Sequence, residues 1–214
     1  MKKIDYSLYL VTDRSLSRGR DTMQIVQAAV RGGVTCVQLR EKSCSTRDFI
    51  EEARSISDFL KEHHVPLIIN DRIDVAMAVG AEGVHLGQTD MPLETARTIL
   101  KKDMIIGISA ESVEDAVEAE KGGADYISVS PVFSTSTKTD TAPPLGLEGI
   151  STIRRHVRIP VVGIGGINKE NCAQVIRHGA DGVAVVSAIV SSADPEKEAR
   201  ELLEIIRRAQ RHKL

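Results

Sequence analysis

The sequence predicts an α/β fold, a (β/α)8 TIM barrel, and three observations predict it. The first is an unbroken alternation of strand-like and helix-like patterns, which implies parallel strands joined by right-handed crossovers. The second is an internal echo. Four strands are introduced by nearly the same phrase: Gly32-Gly33-Val34-Thr35-Cys36-Val37-Gln38, Gly80-Ala81-Glu82-Gly83-Val84-His85, Gly123-Ala124-Asp125-Tyr126-Ile127-Ser128 and Gly179-Ala180-Asp181-Gly182-Val183-Ala184. They precede the second, fourth, sixth and eighth strands, and a two-unit repeat suits a barrel whose interior layers draw on alternate strands. An open doubly wound sheet, with edge strands and a reversal point, has no need of that regularity. The third is size: 214 residues with 42% hydrophobic content can bury one large core, so residues 1–214 are expected to form a single barrel domain.

The elements follow in order. Strands are expected at 8–12, 36–40, 67–70, 83–86, 105–109, 126–130, 161–164 and 183–186. The second alternates apolar and polar residues at period two, which places Gln38, Arg40 and Lys42 on one face and Val37 and Leu39 on the other. Pro66 and Pro160 introduce the third and seventh strands. Helical patterns fall at 23–31, 46–63, 72–79, 93–100, 113–121, 148–156, 169–177 and 195–211, and a Gly after the helix supplies the left-handed stop that starts each echo phrase. The echo also sets a register. Gln38, His85, Ser128 and Ala184 are equivalent and read as interior; Val37, Val84, Ile127 and Val183 read as facing the helices. Two residues on, Arg40, Gly87, Ser130 and Val186 then point inward at the C-terminal mouth, where barrel enzymes work.

Composition narrows the partners. Lys+Arg 28 against Asp+Glu 30 gives a net charge of −2 with no basic stripe, which argues against nucleic acid, so any anion site must be local. Aromatic content of 3% without Trp offers few stacking platforms for bases. The basic N-terminal residues lead into no apolar run, so neither a signal peptide nor a membrane span is expected. Cys36, Cys44 and Cys172 are odd in number and lack metal-ligand spacing, which fits reduced thiols in a cytoplasmic protein.

Polar residues accumulate at the strand ends. Arg40 and Lys42 step along the end of the second strand and suit a multiply charged anion. Asp71 and Asp90 follow adjacent strands, and two carboxylates there can share a hard cation; magnesium, which keeps several waters and substrate phosphates, suits so sparse a ligand set. Each has a local alternative, Asp71 as a helix N-cap and Asp90 as a turn residue before Pro92. The seventh and eighth strands carry Gly163-Ile164-Gly165-Gly166-Ile167 and Val185-Val186-Ser187-Ala188-Ile189, and the loops after these two strands commonly hold a phosphate in barrels. The patternless stretch 134–146, with its hydroxyls and Lys138, is a candidate lid. Two anion sites at one mouth imply two phosphorylated substrates.

Taken together, Tyr9-Leu10-Val11-Thr12-Asp13, Gln38-Leu39-Arg40-Glu41-Lys42, Asn70-Asp71-Arg72, Val84-His85-Leu86-Gly87-Gln88, Thr135-Ser136-Thr137-Lys138 and Gly163-Ile164-Gly165-Gly166-Ile167 resemble the thiamine-phosphate synthase family over nearly the whole chain. The resemblance implies a transferase of thiamine biosynthesis that condenses hydroxymethylpyrimidine diphosphate with hydroxyethylthiazole phosphate, giving thiamine phosphate and pyrophosphate. It implies Gln38, Leu39, Arg40, Glu41, Lys42, Asn70, Ser109 and Lys138 at the pyrimidine diphosphate, with Arg40, Lys42, Ser109 and Lys138 catalytic. It further implies Asp71 and Asp90 on one magnesium ion, and Thr135, Ser136, Thr137, Gly166, Val186 and Ser187 at the thiazole phosphate. Where Glu111 stands, family members often carry His, so a histidine's role there is in doubt. Small phosphorylated heterocycles are the expected partners, and the chain leaves a homo-oligomer open. The sequence offers no convincing Cys/His or Ser/His dyad, which agrees with a dissociative loss of pyrophosphate that needs no protein nucleophile. Cys36 and Cys44 read as packing residues, and His85 as a hydrogen-bonded interior histidine rather than a general base. Two rivals share the fold: a thiazole tautomerase, whose histidine would fall at Glu111, and a non-catalytic paralogue, which would have lost metal ligands.

Overall fold

The computed structural model describes residues 4–135 and 143–211. Eight parallel strands close into a barrel in chain order: β1 (Leu8–Val11), β2 (Cys36–Leu39), β3 (Leu67–Asn70), β4 (Gly83–Leu86), β5 (Ile105–Ala110), β6 (Tyr126–Val129), β7 (Val161–Ile164) and β8 (Gly182–Val185), with β8 pairing back onto β1. Around them lie α1 (Thr22–Arg31), α2 (Thr46–Glu62), α3 (Ile73–Val79), α4 (Leu93–Ile99), α5 (Val113–Lys121), α6 (Gly146–His156), α7 (Cys172–Arg177), α8 (Ser187–Val190) and α9 (Pro195–Arg211). The expected barrel is the observed one, and strand limits agree to within a residue.

Two differences have local causes. The helical pattern at 169–177 begins only at Cys172, because Asn171 Oδ1 accepts from Asn168 N (2.9 Å) and Asn168 Oδ1 from Glu170 N (2.8 Å). Side chains that bond their own backbone in this way favour a turn over a helix. The short α8 was not foreseen, because a single turn is too brief to show a period.

The echo has a physical meaning. The polar residue in each phrase accepts a backbone N–H at the start of a neighbouring strand: Thr35 Oγ1 from Leu8 N, Glu82 Oε2 from Leu67 N, Asp125 Oδ2 from Ile106 N and Asp181 Oδ2 from Val161 N, at 2.8–3.0 Å. These donors lie beyond the reach of the parallel ladder, and an acidic or hydroxyl side chain satisfies each one. Arg97 and Arg154 pair with Asp125 and Asp181 in turn.

The expected register holds. Val37, Leu39, Val84, Ile127 and Val183 join the large apolar layer between strands and helices, whereas Tyr9, Cys36, Ile68, Tyr126, Val162 and Ala184 fill the barrel interior. Tyr126 fits because β5 offers Gly107 opposite it: a Cβ on Gly107 would lie 2.1 Å from the ring carbon Cζ. Gly107→Ala is therefore expected to lower stability by about 3 kcal/mol, the overpacking penalty at a site with no room to yield. An unchanged urea midpoint would show that the ring has space after all.

Candidate active site

The C-terminal ends of the strands enclose a cavity of about 360 Å³. Arg40, Gly87, Ser130 and Val186, expected to point inward at this mouth, all line it. So do Gln38, Lys42, Asn70, Asp71, Asp90, Ser109, Thr135, Gly166 and Ser187. Leu39 and Glu41 do not. Leu39 is fully buried in the strand–helix layer, and Glu41 turns away from the cavity to pair with Arg14, so the side chains of alternate residues in the run 38–42 leave the mouth. Ser136, Thr137, Lys138 and most of the candidate lid lie outside the described residues.

Arg40 is held from β1. Its backbone N donates to Thr12 Oγ1 (3.0 Å), and its guanidinium Nη1 donates to Asp13 Oδ2 (2.8 Å). Asp13 is steadied by Ser15 N on its other oxygen and does not itself line the cavity. Next door, Arg14 reaches Glu41 and Glu52, so neighbouring residues after β1 clamp neighbouring residues after β2. Burial, followed by the charge of Glu52, raises the Glu41 carboxyl above the usual range.

Opposite stand the two carboxylates. Lys42 Nζ forms an ion pair with Asp71 Oδ2. Asp71 has a left-handed φ of 61°, and its N donates to His85 O (2.8 Å). It is not the N-cap of α3; Arg72 stands there and makes no side-chain capping bond. Left-handed geometry is uncommon in a non-glycine residue, although Asp is among those that tolerate it best, and such positions cluster at active sites. Asp90 does close a turn, accepting from Gly87 N at 2.7 Å, and it also faces the cavity. Burial raises its carboxyl pKa, and so does the hydrogen bond and charge of Asp71 beside it. Two carboxylates within hydrogen-bonding reach repel each other when both are ionised, which a shared cation relieves.

Across the mouth, the loop after β7 runs close beneath residues 131–134. Gly165 (φ 102°) and Gly166 (φ 64°) adopt backbone conformations that favour glycine, and a Cβ on Gly166 would lie 2.6 Å from Ser134 O. Val186 and Ser187, at the start of α8, line the same cavity as this loop.

The floor is a chain of buried polar groups. Gln38 Nε2 donates to Tyr9 Oη (2.9 Å), Tyr9 Oη bonds Tyr126 Oη (2.9 Å), and Tyr126 Oη bonds His85 Nδ1 (2.9 Å). His85 Nε2 then meets Ser109 Oγ at 3.0 Å and Ser128 Oγ at 3.1 Å. Burial lowers the His85 pKa from the ordinary histidine value to about 4, outweighing the opposing charge of Asp71. His85 is thus neutral and partnered, as expected of an interior histidine. A buried neutral histidine supports the fold fully above its unfolded-state pKa of about 6.5, and that support is lost as pH falls from there toward 4. The loss amounts to roughly 3 kcal/mol by proton linkage. Urea unfolding at pH 7 and pH 4.5 is expected to show a smaller drop for His85→Gln than for the native chain; equal drops would assign the acid sensitivity elsewhere.

Several residues of the site were not among those expected to act: Tyr9, Thr12, Asp13, Tyr126, Gln88 and Ile164. Glu111, in doubt from the sequence, lines the cavity.

Fold and site together define a barrel enzyme for phosphorylated substrates, with cations, paired carboxylates and a glycine-built loop around one mouth. The family model described as thiamine monophosphate synthase matches residues 8–189. The chain is 54% identical to a thiamine-phosphate synthase of Syntrophomonas wolfei subsp. wolfei over 96% of its own length and 98% of that protein. It is 50% identical to the Clostridium acetobutylicum thiamine-phosphate synthase over 97% of its own length and 98% of that protein. A solved thiamine phosphate pyrophosphorylase from Pyrococcus furiosus superposes with a TM-score of 0.89 at 41% identity, covering 96% of this chain and 97% of that one. The chain belongs to the thiamine-phosphate synthase family, as its motifs imply, and neither the tautomerase nor the non-catalytic reading finds support.

Proposed function

We propose that the cavity joins hydroxymethylpyrimidine diphosphate to hydroxyethylthiazole phosphate, with the pyrimidine on the Gln38–Ser109 floor and its diphosphate between Arg40, Lys42 and the Asp71–Asp90 pair. One observation carries this reading: residues from four strand ends, far apart in sequence, line a single mouth. Asn70 lies beside the diphosphate region, and Lys138 is proposed as a further cation for it. Thr135, Ser136, Thr137, Gly166, Val186 and Ser187 are proposed to hold the thiazole phosphate.

The reaction breaks the bond between the pyrimidine methylene carbon and the diphosphate oxygen. The electron pair leaves with pyrophosphate, the amino-substituted ring stabilises the carbon left behind, and the thiazole nitrogen supplies the pair for the new bond. Arg40 and Lys42 neutralise the charge that develops on the departing group in a site fixed beforehand. Asp71 and Asp90 fit one magnesium ion: both are hard oxygen donors, side by side and mutually repelled. Among the described residues no third His, Cys, Asp or Glu joins them, so water and substrate oxygens would complete the shell. When bound, the ion supplies positive charge to the leaving diphosphate.

Three free cysteines, two of them buried, accord with a reducing cytoplasmic setting. No helix among the described residues is long and apolar enough to cross a membrane. The direct test mixes the protein with both phosphorylated heterocycles and magnesium. Pyrophosphate release that requires the thiazole and disappears with chelator is expected; release indifferent to the thiazole would contradict coupling of the two substrates.

A further inference from the structure

The buried chain under the cavity floor has a direction, and that direction assigns donors and acceptors to its two open ends. Gln38 Nε2 donates to Tyr9 Oη, so Tyr9 must use its own proton elsewhere. It has two neighbours: Tyr126 Oη at 2.9 Å, and the Cys36 thiol, a much weaker acceptor. The Tyr9 proton therefore goes to Tyr126. Tyr126, having accepted, donates to His85 Nδ1. A neutral imidazole that accepts at Nδ1 carries its proton on Nε2, and this proton faces Ser109 Oγ and Ser128 Oγ. Ser109 then accepts from His85 and has its own proton to offer the cavity that it lines. At the other end, Gln38 has committed one of its two amide N–H groups to Tyr9, which fixes the orientation of the amide and leaves its carbonyl oxygen to offer.

We propose that Tyr9, Tyr126 and His85 are positioning residues: a one-way relay that holds His85 as the Nε2–H tautomer and presents Gln38 as an acceptor and Ser109 as a donor to the pyrimidine. The inference rests on the function proposed above for its ligand, but not for its wiring. An aminopyrimidine has the complementary pattern, an exocyclic N–H donor and ring nitrogens that accept. An oxo-pyrimidine would bring a carbonyl where the floor offers one. The relay thus gives the site a basis for choosing the amino heterocycle, because a mismatched edge leaves buried polar groups unpaired. Burial supports the arrangement. Tyr9, Tyr126 and His85 are all at most 6% exposed, and burial pushes the Tyr9 and Tyr126 hydroxyls well above their ordinary pKa and that of His85 well below. The chain holds neutral groups whose only freedom is the direction in which the protons point.

Nitrogen-15 NMR of histidine-labelled protein near neutral pH reads that direction, with the His85 signal assigned by its loss in His85→Gln. The expected result is an unprotonated, pyridine-type Nδ1 and a protonated Nε2. Gln38→Glu places an acceptor-only carboxylate at the head of the chain, so Tyr9 must donate to it and every bond beyond reverses. His85 is then expected as the Nδ1–H tautomer, three hydrogen bonds away from the change. Tyr126→Phe cuts the chain and is expected to raise KM for the pyrimidine diphosphate roughly tenfold, the loss of about one hydrogen bond, with KM for the thiazole phosphate unchanged. A native Nδ1–H tautomer, an unaltered tautomer in Gln38→Glu, or an equal rise in both KM values would each overturn the relay. If the tautomers behave as stated and the pyrimidine diphosphate is not a substrate, the wiring stands and the function proposed above fails.

Discussion

Asp71→Asn is expected to lower turnover by two to three orders of magnitude while leaving the urea midpoint nearly unchanged. The amide keeps the shape and the hydrogen-bonding reach of the carboxylate, and Asn tolerates the left-handed φ of 61° at this position as well as Asp does. What it removes is one of two anionic ligands proposed for magnesium, and with it much of the charge stabilisation of the leaving diphosphate. A metal acting as a Lewis acid contributes several kcal/mol to such a transition state, and each ~1.4 kcal/mol is a factor of ten. The substitution also frees Lys42 from its ion pair, so any residual activity would come from the cations and from metal held by Asp90. Steady-state kinetics over a magnesium series checks this; native turnover at ordinary magnesium would take Asp71 out of the metal site.

Arg40→Ala is the second large effect, a fall in kcat/KM of about 10²–10³, the usual cost of removing a preorganised charge donor at a developing anion. Arg40→Lys is expected to recover little, because an ammonium can neither fill the planar fork nor keep the geometry set by Asp13 Oδ2 at 2.8 Å. Asp13→Asn should fall between native and Arg40→Ala, about tenfold down, since it loosens the guanidinium without removing it. Activity of Arg40→Lys equal to native would mean that a point charge suffices and that the clamp from β1 has no catalytic consequence.

These residues show what the sequence disclosed and what it withheld. The barrel was legible because its signals are local: glycines that end helices, and a polar residue two or three positions later that accepts an N–H at the start of a neighbouring strand. The inward register followed, since period two fixes the face of every residue in a short strand. Arg40, Asp71 and Asp90 were legible as strand-end charges. Asp13 was not singled out, although it too ends a strand, because its partner is 27 residues away and the pairing exists only once β1 lies beside β2. The tyrosine–histidine chain was hidden for the same reason: Tyr9 and Tyr126 are 117 residues apart and meet across the barrel axis. Leu39 and Glu41 came in with their motif, but the alternation that points Arg40 inward turns both of them away.

The central claim is spatial: cations following β2 and carboxylates following β3 and β4 act on one diphosphate. Crystals grown with pyrophosphate and manganese in place of magnesium test it most directly, through the metal's anomalous scattering. The account predicts a single strong peak shared by Asp71 and Asp90, with Arg40 and Lys42 on oxygens of the same pyrophosphate. A manganese ion bound away from both carboxylates, or a pyrophosphate seated instead on the Gly165–Gly166 loop, would contradict it.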